Sequence, residues 1–254
     1  MMENNKTIII RSWNEIKPIL NESSVPRIFW CYWAGGPMNG NRLRSLDMMQ
    51  KYMEVPICMI TESNLKEFIL EDYPLHKVFN HLSSVHQSDY LRIYLLHHYG
   101  GGWCDIKPTE ISYLSAWNEF DNPDIYLVGK PEIKKGPAKV FDQNGLWMPK
   151  YWRYLVATNR WIGRKNTPLS KELYDAINRL LDENIENLKK NPAKHAHDKK
   201  RKRLFPWLYV NKNQYPLPYT VFGNLFHPLN YKYRQHIKQI LPFDEIKNLG
   251  LDYR

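Results

Sequence analysis

Two charged residues three positions apart, Asp89 and Arg92, interrupt an apolar run made of Tyr90, Leu91, Ile93, Leu95 and Leu96. Residues at that spacing on a helix project from one face. The rest of the helix is apolar, so it must be buried and the two charges go inside with it. An unpartnered buried charge costs several kcal/mol. Asp89 and Arg92 therefore either form an ion pair with each other or hold a polar ligand at the edge of the core. The chain then passes through Tyr99-Gly100-Gly101-Gly102-Trp103-Cys104 to a second carboxylate, Asp105, with Lys107 two residues beyond. A buried helix thus runs through a glycine turn into a short strand that ends on a carboxylate.

The elements around this stretch read as an α/β fold. Residues 28–33 form an apolar run that stops at Gly35-Gly36-Pro37, residues 42–52 have helical spacing, and residues 55–61 read as a second strand. Strand, helix and strand in that order predict a parallel βαβ unit. Residues 124–129 read as a further strand, residues 170–188 as a long amphipathic helix, and residues 231–241 as a last helix. Ser88 is placed to cap the start of the helix that carries Asp89.

The stretch from Ser88 to Asp105 resembles the signature S-D-x-x-R-x-x-x-L-x-x-Y-G-G-x-(Y/W)-x-D-x-D of sugar-binding-region glycosyltransferases. These comprise family 32, its capsular-polysaccharide relatives and, distantly, the glucosyltransferase domains of clostridial toxins. Upstream, Val25-Pro26-Arg27-Ile28-Phe29-Trp30-Cys31-Tyr32-Trp33-Ala34-Gly35-Gly36 is similar to that family's first strand. The resemblance runs from Val25 to about Pro108. It implies a GT-A-type, Rossmann-like single domain, with the nucleotide at the carboxyl ends of the strands. Residues 25–130 would be the nucleotide-sugar-binding core, and residues 131–254 a helical, aromatic-rich acceptor and closing region. It implies a retaining transferase that moves a sugar from a nucleotide sugar, a UDP-sugar above all, to a glycan or lipid-linked glycan acceptor.

The resemblance also implies roles. Asp89 and Arg92 would hold donor-sugar hydroxyls, as acceptor and donor fork respectively. Trp33 would stack on the base, with Gly35 and Gly36 letting backbone approach the ligand. Trp103 would line the pocket, and Asp105 would contact the ribose or a divalent ion, Mn or Mg. The departure is Lys107, which stands where the second Asp of the DxD motif is usual. A protonated lysine cannot ligate a metal. Either it neutralises the leaving diphosphate itself, or Asp105 shares the metal with a distant ligand, or the site is inactive.

With 254 residues, 43% of them hydrophobic, the chain can bury a full core. It has no apolar stretch long enough to span a bilayer and no signal-peptide pattern, which predicts a cytosolic protein. Cys31, Cys58 and Cys104 are scattered and odd in number, so reduced core thiols are expected. The formal charge of +10 is concentrated at Lys199-Lys200-Arg201-Lys202-Arg203. That run reads as a solvated loop, as a peripheral contact with an anionic membrane, or as a nucleic-acid site. The membrane suits a polysaccharide enzyme, and nucleic-acid binding leaves the ordered motif unexplained. His195, His197 and Asp198 are residue types that ligate metals, but without further ligands they are a weak signal for a metal site. Residues 215–228, dense in aromatic and turn residues, read as a loop over the pocket; its His227 is either a buried structural histidine or a candidate diphosphate contact backed by Tyr219, Thr220 and Asn224.

Overall fold

A computed structural model describes residues 7–134, 151–200 and 214–242. The regular elements are β1 (Ile9–Ile10), α1 (Trp13–Glu22), β2 (Phe29–Trp33), α2 (Gly40–Tyr52), β3 (Ile57–Thr61), α3 (Ser84–His98) and β4 (Gly101–Cys104). After these come β5 (Leu127–Pro131), β6 (Val156–Gly163), α4 (Pro168–Glu183), α5 (Ile185–Lys190), α6 (Val221–Lys232) and β7 (Ile237–Lys238). Seven strands form one sheet in the order β1-β3-β2-β4-β6-β5-β7. β2 pairs in parallel with β3 and β4, confirming the βαβ unit, while β6 runs antiparallel to β4 and β5. The mixed α/β class is as expected.

Alternation along the strands divides the core into two layers. Trp30, Trp103 and Trp161 face α3, α4 and α6, whereas Phe29, Cys31, Cys104 and Ile162 face the α2 side. The three cysteines are free and buried. α3 is buried on nearly every side, from His86 through Leu96, as a helix apolar around its circumference must be. It ends at Tyr99 and the chain turns through Gly100 at φ 72°, where a Cβ would lie 2.8 Å from the Ser24 carbonyl oxygen. Gly102 is required for a different reason. A Cβ there would stand 2.4 Å from the Phe29 ring, so the bare backbone of β4 is what lets β2 lie against it.

The sequence reading needs correction at four places. The α3 cap is Ser83, whose hydroxyl accepts the His86 N–H; Ser88 lies inside the helix. The helix expected over residues 170–188 breaks at Asn184 into α4 and α5. Residues 221–232 are helical, not loop, despite Pro228. Phe222 and Phe226, one turn apart, stack at 4.9 Å, and Phe226 lies 6.4 Å from Trp161, a burial that outweighs the proline's breaking tendency. The helix expected over residues 231–241 is instead the end of α6, a short turn and β7. Strands β1 and β6 were not anticipated. Among the described residues no helix is long and apolar enough to cross a membrane.

Candidate functional site

The turn from α3 into β4 folds the expected residues onto one another at the carboxyl end of the sheet's central strand. The Arg92 guanidinium lies at the centre, 3.3 Å from an Asp89 oxygen and 3.4 Å from Asp105 Oδ1. The nitrogen that makes both contacts, Nη2, also donates to the Ser88 hydroxyl at 3.2 Å, and Nη1 donates to the Thr158 carbonyl at 2.7 Å. Aromatic rings close it in, Trp103 at 5.0 Å and Phe222 of α6 at 4.8 Å. The Trp103 indole N–H donates to Asp105 Oδ1 at 3.1 Å, and Lys107 Nζ stands 3.6 Å from Oδ2. Asp105 is thus held by a guanidinium and an indole on one oxygen and an ammonium on the other.

Exposure divides the cluster into a back and a rim. The side chains of Asp89 and Arg92 are 7% and 8% exposed, those of Asp105 and Lys107 30% and 37%. A ligand arriving from solvent meets Asp105 and Lys107 first, with Arg92 and Asp89 behind them. Burial, helped by the charge of Asp105 and opposed by Arg92, raises the Asp89 carboxyl to about 6. For Asp105 burial also pushes upward, but Arg92, Lys107, the Trp103 hydrogen bond and Arg160 outweigh it and hold the carboxyl below its ordinary value. The pair therefore separates into a carboxyl that titrates near neutrality and one that stays ionised.

Trp33 ends β2, partly exposed, with its indole N–H on the Gly36 carbonyl at 2.9 Å. A Cβ at Gly35 or Gly36 would meet nothing within 4 Å, so the space beside Trp33 is open. The Arg42 guanidinium of α2 lies 5.6 Å from the Trp33 ring and donates to the Ile106 carbonyl, joining this corner to the loop that holds Asp105 and Lys107. Phe29 and Trp30 on the same strand are core residues. His227 is placed differently from the loop position expected of it. It lies on α6, 1% exposed, with Nε2 3.3 Å from Glu132, which leaves no open face for a diphosphate.

The donor set does not fit a divalent ion. Both oxygens of Asp105 face cations or donors, Lys107 occupies the second motif position, and among the described residues no three His, Cys, Asp or Glu gather as ligands. Asp198 accepts the backbone N–H groups of Lys194 and His195, a turn and not a metal ligand. Of the basic run, Lys199 and Lys200 are described: Lys199 lies 5.0 Å from the Tyr219 ring, and the Lys200 N–H donates to the Leu217 carbonyl. Residues 201–203 lie outside the described residues.

Sequence reasoning passed over Arg42, Arg160, Lys130 and Glu132. Arg160 gave a usable signal, a charge directly before the apolar residues Trp161-Ile162. Arg42 gave none, because its partner is the carbonyl of residue 106, set by strand packing and not by any local pattern.

Residues 2–135 match the model of the family described as capsular polysaccharide synthesis protein, more than half of the chain, and the protein belongs to that family. Among solved structures it is similar to "PaToxG Glycosyltransferase", at a TM-score of 0.33 and 15% identity over 70% of this chain and 73% of that one. No curated protein matches it.

Proposed function

We propose that the protein transfers a hexose-type sugar from a UDP-sugar to a glycan acceptor in surface polysaccharide synthesis, with retention at the anomeric carbon. The observation that carries this reading is the group Asp89, Arg92, Asp105 and Lys107 at the carboxyl end of β4, the edge of an α/β sheet where ligands bind. Trp33 supplies a stacking face for the base. Asp105 faces the ribose or donor sugar, kept ionised and fixed in direction by Arg92 and Trp103. Asp89 and Arg92 complete the sugar side from behind. Lys107, at the rim, stands where negative charge develops as the nucleoside diphosphate leaves, and a fixed cation there contributes several kcal/mol. Residues 131–254 form the acceptor side, and residues 199–203 dock the enzyme on an anionic membrane that carries a lipid-linked acceptor.

A thermal-shift screen of nucleotide sugars, with and without manganese, tests the reading, since a ligand that binds only the folded state raises the melting temperature by mass action. A UDP-sugar is expected to stabilise the protein in metal-free buffer, and donor hydrolysis without acceptor is expected to follow. Stabilisation by no nucleotide sugar refutes the reading.

A further inference from the structure

Lys130 is the penultimate residue of β5 and is half-buried. The β5–β6 ladder is regular from Leu127 opposite Gly163 to Gly129 opposite Trp161, and then slips, so that Pro131 stands opposite Val156. Residues 157–160 of β6 are therefore looped out of the ladder beside Lys130. The slipped residues are tied to the site. The Thr158 carbonyl accepts from Arg92, the Asn159 carbonyl accepts the Asp105 N–H, and Arg160 Nε reaches Cys104 Sγ at 3.2 Å. β4 and β5 are both antiparallel to β6, so their carboxyl ends, carrying Asp105 and Lys130, lie at the same edge of the sheet.

Burial first, and then the positive charges of Arg160 and Lys107, hold the Lys130 ammonium below its ordinary value, with Glu132 opposing. Gathering like charges opposes folding, and a bound anion of several charges relieves it. Arg160 is 2% exposed, bonded to Cys104 and Tyr113, and serves as a fixed positive background. Of these three cations, Lys107 and Lys130, one from the loop after β4 and one from the end of β5, have partial access to solvent.

We propose that Lys130 and Lys107 together form the subsite for the diphosphate of the nucleotide sugar. The proposal rests on the nucleotide-sugar reading above and adds to it a second cation. Two ammonium groups act as point charges on phosphate oxygens. They occupy the part of the site where the donor set does not fit a divalent ion.

The test is isothermal titration of the full chain in chelator-treated buffer, with inorganic pyrophosphate, UDP, GDP, ADP and uridine as probes. Lys130→Gln is expected to weaken pyrophosphate and UDP binding by about tenfold or more, the range of one charge-assisted contact, with uridine binding and the circular dichroism spectrum kept. Lys130→Arg is expected to recover most of the loss, and wild-type pyrophosphate affinity to fall more steeply with salt than that of the glutamine variant. Unchanged pyrophosphate and UDP affinity in Lys130→Gln overturns the proposal. Equal losses for UDP and uridine also overturn it, because the lysine is then structural. Pyrophosphate binding that depends on Lys130, in a protein that binds neither UDP, GDP nor ADP, upholds the anion subsite and refutes the nucleotide-sugar reading. A wild-type protein that binds none of the probes overturns both.

Discussion

Asp89 should work against ordinary acid denaturation, stabilising the fold more at low pH than at high, and replacing it with Asn should remove that dependence. The Asp89 carboxyl is raised from 3.8 to about 6, by burial first, against the pull of Arg92. The folded state thus holds this proton more tightly than the unfolded chain. Its stabilising contribution is full below about pH 3.8 and is lost as pH rises through about 6. A shift of about two units is worth about 3 kcal/mol. Asn cannot ionise, so Asp89→Asn should gain on wild type by up to that amount between pH 4 and pH 8. His86 and His98, both lowered to about 4 chiefly by burial, work the other way. Their contribution is present above about pH 6.5 and lost as pH falls through about 4, and it cancels when the variant is compared with wild type at each pH. Asp105, held low, loses its contribution only below its unfolded value of 3.8. Urea unfolding followed by circular dichroism across this range, at constant ionic strength, reads the difference directly. A flat difference, or one in which the variant falls behind as pH rises, refutes the placement of Asp89 as a buried carboxyl.

Arg92→Met should cost about 3–5 kcal/mol in urea unfolding, because it leaves two carboxylates without their common partner, while Arg92→Lys should fold and lose most turnover through loss of the planar fork; wild-type turnover in the lysine variant would remove Arg92 from the site. Donor hydrolysis should persist in chelator, whereas Lys107→Ala should lower it sharply and Lys107→Asp should make it metal-dependent. Full loss in chelator with a harmless Lys107→Ala would return the charge of the leaving group to a metal. Trp33→Ala should weaken UDP binding by about tenfold or more, as loss of a stacking face does, and unchanged titration would make Trp33 a packing residue. Glutamine at all five positions of residues 199–203 should release the protein from acidic vesicles, as raised salt should, with catalysis on a soluble acceptor retained; equal vesicle binding would leave the run a solvated loop.

The part of the site legible in the sequence is the part whose geometry is local. Asp89 and Arg92 meet because a helix sets residues three apart on one face, and Asp105 joins them because a glycine turn returns β4 alongside that helix. Trp33 was legible by a similar rule, an aromatic at the end of an apolar strand before two glycines. What escaped was set by long-range register. Lys130 and Arg160 approach the cluster through a slip in the β5–β6 ladder, and Arg42 meets residue 106 only when β2, α2 and β4 are assembled. His227 was misplaced because Pro228 and its neighbours carry turn chemistry locally, while burial of Phe222 and Phe226 decides in favour of a helix.

The glycine at position 102 has a meaning beyond packing. The Phe29 ring fills the place of its missing side chain, and Phe29 begins the strand that ends on Trp33, while Gly102 begins the approach to Asp105. The separation between an aromatic platform and a charged cluster, encoded about seventy residues apart, is therefore gauged at one contact between a ring and a hydrogen atom. A methyl group at this point would act as a shim. It would widen the gap between the two halves and so retune which span of ligand, from base to sugar, reaches both at once.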